Sequence, residues 1–337
     1  MSIPLEMYLD PVKKTFMFDT STMSVACDRK LHWGRFRNLK RAIHGEATYF
    51  GTCLHKFVEH FWLGDSFDDC ISAYYKLARA DDSPLIDDSD EEDNLRTVQR
   101  GFEVCTLYFK KYTSHETINR SRIKVYVLNG KPLVEIPFAF PLGTDSDGWT
   151  YLFCGKMDRV ELRDASELWI VDTKSTTRFG KKYWQCLRPN DQITGYAAGL
   201  RELVGKLPTY YAIDVIAMGK PREKAPKDIQ ALGPDAIAEY KVNIRFEQGP
   251  TGRSEVDVND WWENAFNEGI RMRKLWTDYK DNHLLWTRRT SQCGAYGGCD
   301  FLDLCKVPVG FEPIIDSLYV VQPWSPFDHA EENGEEA

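Results

Sequence analysis

The sequence predicts a mixed α/β protein, a sheet with helices on both faces, on three observations. Two strand-like runs, Tyr151–Leu162 and Glu167–Lys174, meet at a polar turn, Asp164–Ser166, in the middle of the chain. Further runs rich in β-branched and aromatic residues lie to either side, at Ile123–Leu128, Leu133–Phe140, Thr209–Met218 and Ala238–Phe246. Around them stand segments whose apolar residues recur at the helical period of about 3.6 residues.

Taken in order, residues 20–42 predict a Ser/Thr-capped helix carrying Cys27, then a basic aromatic segment. A helix starting at Gly51 puts Leu54, Phe57, Val58 and Phe61 on one stripe, with His55 off the stripe's centre and His60 elsewhere. The acidic stretch 81–93 reads as a loop, and 94–113 as a helix turning Val98, Phe102, Cys105, Leu107 and Phe109 toward a core. Asn129-Gly130 between strand-like runs signals a hairpin. Gly180 and Pro189 then break the chain, and Asn190 or Asp191 caps a helix over Gln192–Val204. After a strand, a Pro/Lys-rich loop at 219–234 and another strand, Asp257 or Asn259 opens a long helix running to about Asn282. No internal repeat is evident. Gly199 and Gly205-Lys206-Leu207 have neither the spacing nor the Ser/Thr of a phosphate-binding loop, so they read as a helix end and no ATPase motor is indicated.

The 337 residues, 42% hydrophobic and 13% aromatic, suffice for a substantial core. The opening MSIPLEMYLDPVKK lacks the basic and apolar regions of a signal peptide, and no apolar run nears the roughly 18 residues of a membrane span, so a cytoplasmic protein is expected. The net charge of −8 argues against nucleic acid until its distribution is read. Residues 81–93 hold eight acids and 328–337 hold five, with no base in either stretch, so the remainder carries five more bases than acids. Basic residues gather at Arg29, Lys30, Arg35, Arg37, Lys40 and Arg41, and again at Lys174, Arg178, Lys181, Lys182 and Arg188. Such patches suit a phosphate backbone as well as an ordinary solvated surface.

Chemistry concentrates in the central strands. Asp158 interrupts the first, and the apolar run Leu168-Trp169-Ile170-Val171 of the second stops at Asp172-Thr173-Lys174. Strand alternation sends Asp172 and Lys174 to one side, and pairing as a hairpin brings Asp158 to join them. Two carboxylates and an ammonium at a sheet edge suit a divalent cation such as Mg²⁺, which prefers oxygen ligands. An exposed ion pair is the plain alternative. Gln192 and Tyr196, four residues apart, share a helix face.

Nine cysteines in an intracellular chain do not suggest a disulfide framework. Cys53, Cys70, Cys105, Cys154 and Cys186 read as packing residues. Cys293, Cys299 and Cys305 stand at equal six-residue steps in a glycine-bearing segment. With a fourth thiolate they suit a 4Fe–4S cluster or Zn²⁺, and Cys27, just before the first basic segment, is the candidate. Packed thiols are the alternative.

The order of these parts resembles the RecB-type branch of the PD-(D/E)xK nuclease superfamily: Cys27, Gly51-x₃-His55, Glu135, Gly155-x₂-Asp158-Arg159, Asp172-x-Lys174, Gln192-x₃-Tyr196, then Cys293, Cys299 and Cys305. Its iron–sulfur members are most alike, namely the AddB nuclease domain, the CRISPR-adaptation nucleases and related phage exonucleases. The resemblance implies a restriction-endonuclease-like mixed sheet with metal ligands at His55, Asp158, Asp172 and the Thr173 carbonyl. It implies that Lys174 orients or deprotonates the attacking water. Gln192 and Tyr196 then support the site and contact DNA, Glu135 supports it or is a strand-surface acid, and the four cysteines tie the chain's ends together. It further implies four regions: a helical one at 1–120, the nuclease core at 121–256, a helix with the cysteine loop at 257–310, and an acidic tail at 311–337. The expected activity is Mg²⁺- or Mn²⁺-dependent DNA cleavage, exonucleolytic on single strands or ends, in recombination, repair or replication. Possible partners are a helicase, a recombinase or a single-strand-binding protein. The rivals are a CRISPR spacer-processing nuclease and a non-catalytic DNA-binding scaffold.

Overall fold

The alternating runs in mid-chain fold as strands that pair antiparallel across the turn at 164–166, with Val160 facing Ile170 and Leu162 facing Leu168. The computed structural model describes residues 9–43, 45–88, 94–113, 123–294, 298–307 and 309–323. Residues 89–93 of the acidic stretch, residues 295–297 of the cysteine loop, the acidic tail from 324 onward and the side chains of Lys181 and Lys182 lie outside the described set.

The main sheet has eight strands among the described residues: β1 (Leu9–Asp10), β2 (Thr15–Phe18), β3 (Ile123–Val125), β4 (Val134–Thr144), β5 (Thr150–Arg163), β6 (Glu167–Thr176), β7 (Tyr210–Met218) and β8 (Ile244–Thr251). The path runs β1-β2-β5-β6-β7-β8, with β3 and β4 also paired to β5. It is mixed: β2 lies parallel to β5 and β7 parallel to β6, while the other pairs are antiparallel. The parallel step from β6 to β7 requires a crossover, which the helix α5 (Asp191–Val204) supplies.

Helices cover both faces. On one, α5 and the long α6 (Glu255–Tyr279) pack Ile193, Ala197, Leu200, Val258, Trp261 and Ala265 into a core with Phe138, Phe153, Ile170 and Tyr211. On the other, α1 (Glu46–Leu63), α2 (Phe67–Ala78) and α3 (Val98–Thr113) bring Phe57, Phe61, Tyr74 and Tyr108 onto Ile216 and Met218 of β7. No helix among the described residues is long and apolar enough to cross a membrane.

Segments from early and late in the described chain meet. A short helix, Asp28–Leu31, runs into a π-helical turn, His32–Phe36, and then a strand, Leu39–Arg41. That strand pairs antiparallel with Tyr319–Val321. Trp33, Leu39, Phe301, Leu304 and Tyr319 form a small separate core beneath.

Several sequence expectations shift. Ala238–Phe246 is not one strand: Pro234–Val242 is a helix with proline in its first turn, ended by Asn243 in the left-handed conformation (φ 57°), and β8 begins only at Ile244. Cys27 does not ride in a Ser/Thr-capped helix. Asp19 caps a single turn, Thr20–Met23, and Cys27 stands at the N-cap of the next helix. Gly51 lies inside α1, which starts at Glu46, and a Cβ there would meet Ser175 of β6 at an ordinary 3.7 Å. A capping box between Ser254 and Asp257 starts α6 just upstream of the expected cap. Cys186 is exposed, so it is not a packing residue, unlike Cys53, Cys70, Cys105 and Cys154.

Candidate active site

The site forms where the two central strands part. β5 pairs with β2 through Phe153 and with β6 only from Arg159 onward, so residues 154–158 leave that edge without a partner strand. Asp158 ends the gap. Its carboxylate takes the place of a strand partner: the Thr173 N–H donates to Asp158 Oδ2 at 2.7 Å. Thus the chain's own ladder, by stopping, aims one aspartate between the strands.

Three donors converge there. One ligand atom each from His55, Glu135 and Asp158 lie within 4.8 Å of one another. His55 reaches in from α1, with Nδ1 3.3 Å from Asp158 and 4.0 Å from Glu135. Glu135 sits on β4 with φ of 51°, a left-handed conformation that costs a non-glycine residue about 1–2 kcal/mol. Such strain near a strand's start commonly marks a side chain aimed for function. Lys156 Nζ contacts Glu135 Oε2 at 2.5 Å. Asp172 stands beside this group, 1% exposed, with Oδ2 2.7 Å from Lys174 Nζ. That oxygen has no aligned hydrogen bond. Gln192 Nε2 donates to Asp172 Oδ1 at 3.3 Å, held there by the Asn190 cap of α5.

The charges shape one another. Burial pushes the Asp158 carboxyl up to about 6, with His55 opposing and Asp172 reinforcing the shift. Burial disfavours a charged His55, yet the Asp158 and Glu135 carboxylates outweigh it and raise its pKa. Glu135 is likewise raised by burial but held below its ordinary value by His55 and Lys156. Lys174 is disfavoured by burial and raised on balance by Asp172 and Asp158.

Glycine and tyrosine complete the packing. A Cβ on Gly155 would lie 2.8 Å from Phe138 and 3.0 Å from Tyr196, so the glycine of Gly155-x₂-Asp158 makes room for both rings. Tyr196 packs edge-on to Phe138 at 5.5 Å, and burial raises its hydroxyl pKa.

Behind the site, on the opposite face, runs a buried charge network. Arg159, 1% exposed, donates to Glu161 at 2.7 Å, to Thr173 Oγ1 at 2.9 Å and to Asp214 at 2.9 Å. Tyr112 donates to both Asp214 oxygens, Arg163 pairs with Glu161, and the Trp62 ring covers the Arg159 guanidinium at 4.5 Å. Thr173 therefore links this network to Asp158, through its hydroxyl on one side and its N–H on the other.

Of the expected ligands, His55 and Asp158 lie in the convergent group, while Asp172 lies outside it, paired with Lys174 and Gln192. The structure moves Glu135 into the convergent group and puts Asp172 next to it with Lys174. Lys156 and the Arg159 network were not anticipated. Lys156 shares the face of Asp158 two residues on, a signal alternation offers, whereas Arg159 and Asp214 are 55 residues apart and leave no local trace.

Cys27, Cys293, Cys299 and Cys305 line one cavity of about 20 Å³, with Lys30, Arg288 and Arg289 on its wall. Burial raises the Cys299 and Cys305 thiols, and Arg29 and Lys30 pull back on Cys305 and Cys299 respectively. No three of these sulfurs come within 4.8 Å of one another.

No protein-family model and no curated protein matches the sequence. Among solved structures, a chain from Eubacterium rectale named "Putative exonuclease" is 11% identical, with 94% of this chain and 99% of that one aligned at a TM-score of 0.42. A protein named SSO0001 is 9% identical, with 87% of each chain aligned at a TM-score of 0.34. Likenesses this loose assign no activity.

Proposed function

We propose that the chain is a metal-dependent nuclease that hydrolyses phosphodiester bonds of DNA, on single strands or at ends. The observation that carries this reading is the convergence of His55, Glu135 and Asp158 within 4.8 Å, with the Asp172–Lys174 pair alongside. An imidazole and carboxylates at this spacing suit Mn²⁺ or Mg²⁺. When bound, such an ion would acidify water and polarise a phosphoryl oxygen. Asp172 stands beside this group with its buried Oδ2 on the Lys174 ammonium.

The chain's own residues do the rest. Lys174 is kept as an ammonium by Asp172, so its part is to orient the attacking water and offset charge developing on phosphorus, not to accept the proton. Gln192 fixes the Asp172 carboxylate through one N–H. Tyr196, packed against Phe138 and the Gly155 backbone, fixes the helix that carries Gln192. The Arg159 network holds Thr173, and through its N–H the Asp158 carboxylate.

The cysteine cavity is read as a 4Fe–4S site that ties early and late segments of the chain. What supports the reading is that Cys27, from early in the chain, lines one cavity with Cys293, Cys299 and Cys305. Anaerobic purification should give protein containing iron and inorganic sulfide; a zinc-loaded, iron-free protein overturns this.

The nuclease reading is tested with an end-labelled single strand and Mn²⁺. Wild type should degrade it, and Asp172→Ala and Lys174→Ala should each lose most of the rate. Equal activity of all three removes the site from the reaction.

A further inference from the structure

Residues in register across a sheet point to the same face. Asp172 pairs with Ile213, and Ile213 with Gly249, so Gly249 of β8 faces as Asp172 does, two strand spacings or about 9.6 Å away. The bare backbone there is used. A Cβ on Gly249 would lie 2.3 Å from the Trp184 ring, so the indole rests on β8, on the catalytic face. Trp184 belongs to α4 (Lys181–Gln185), the short helix between β6 and α5.

Other aromatics gather around it. Phe179 lies edge-on to Trp184 at 5.4 Å, and Tyr183 lies 5.5 Å from Phe179 and 5.3 Å from Trp184. The Arg245 guanidinium lies 5.7 Å over Phe179. Arg245 pairs with Ala217, which pairs with Thr176, so it too faces the catalytic side. Beside Trp184 opens a cleft of about 520 Å³, walled by Leu187, Pro250 and Thr251, with Arg188 at its rim. The Arg188 side chain is 62% exposed and steadied by Asp257 at 2.6 Å. Tyr183 packs on Trp184, which lines the cleft, and the Lys174 and Asp172 charges both act on its hydroxyl.

We propose that this cleft is a base-binding subsite: it takes an unpaired nucleobase, stacked on Trp184, from the strand whose phosphate lies at Asp158 and Asp172. The inference rests on the nuclease reading and deepens it. A cleft of this size admits a nucleotide. A part-exposed aromatic offers the sequence-tolerant stacking that single-strand binding uses, and Arg188 at the rim meets a flanking phosphate. A base inside a duplex has both faces covered by its neighbours and cannot enter, so the cleft selects single strands or frayed ends.

The test measures binding of a labelled oligothymidylate, and of a duplex of equal length, by fluorescence anisotropy in EDTA at one salt concentration. Wild type should prefer the single strand. Trp184→Ala should weaken that binding roughly 5- to 100-fold, as loss of one stacked base does, and leave duplex binding unchanged. Trp184→Phe should keep most of the affinity. Should Trp184→Ala not fold, photocrosslinking of wild type to a 5-iodouracil oligonucleotide decides, with adducts expected on Trp184 or Tyr183. Folded Trp184→Ala that binds single strands as wild type does, or adducts mapping elsewhere, overturns the proposal. If wild type cleaves no DNA with Mn²⁺ yet binds single strands through Trp184, the nuclease reading falls and the cleft stands. If it cleaves while neither variant nor adduct points to Trp184, the cleft alone falls.

Discussion

Replacing Arg159 by methionine tests the network behind the site. Arg159 and Glu161 are each 1% exposed, and the Asp214 side chain 2%. Methionine fills much of the same volume but leaves two carboxylates to find other partners. Glu161 keeps Arg163, and Asp214 keeps the Tyr112 hydroxyl at 2.8 Å. Neither replaces the guanidinium that faced both, so Asp214 is left as a buried charge with one neutral donor. Breaking a buried pair in this way costs about 3–5 kcal/mol. For a chain of this size that lowers the melting temperature by roughly 4–7 °C. Urea unfolding followed by tryptophan fluorescence measures it. Adding Asp214→Asn removes the stranded charge while keeping an acceptor for Tyr112, so the double variant should recover at least half the loss. A single-variant cost below about 1 kcal/mol, or a double variant costing the plain sum of the two, would refute the view that Arg159 and Asp214 compensate one another.

Three further outcomes follow from the same geometry. Glu135→Gln should lower Mn²⁺ affinity about tenfold or more in isothermal titration, because it removes one charged donor from the convergent group. Gly155→Ala forces a methyl to 2.8 Å from Phe138 and 3.0 Å from Tyr196, so it should cost about 1–3 kcal/mol on chemical unfolding and displace Tyr196. His32 is buried among Trp33, His283 and Trp286, and burial holds its pKa down at about 3, against an ordinary 6.5. A depressed folded pKa means the stabilisation is complete above pH 6.5 and is lost as pH falls toward 3, a change on the order of 5 kcal/mol. Melting temperatures across that range should fall for wild type and fall less for His32→Leu.

Much of the fold could be read from the chain because its signals are local. The apolar alternation of β5 and β6, the Asn190 cap and the period of α1 each lie within a few residues. The Pro234–Val242 helix misled because its Ala, Ile, Tyr and Val content suits a strand as well, and proline at its start decided the matter. In the site, Asp158, Asp172 and Lys174 announce themselves by interrupting apolar runs. Glu135 does not, because its place depends on one left-handed residue in β4 that no neighbouring glycine or asparagine marks. Arg159 looks like an ordinary strand charge until Asp214 arrives from a strand 55 residues later.

The pairing of Leu39–Arg41 with Tyr319–Val321 has a cost in time. Leu39 faces Val321, and a ribosome working at roughly 5–20 residues per second makes the second strand about 15–60 seconds after the first. Throughout that interval Trp33 and Leu39 have no Phe301, Leu304 or Tyr319 to cover them. Until Tyr319 is made, a nascent chain therefore carries a sticky segment at Trp33 and Leu39. Premature termination anywhere before Tyr319 should yield a product that chaperones and proteases recognise, even with the whole main sheet already made.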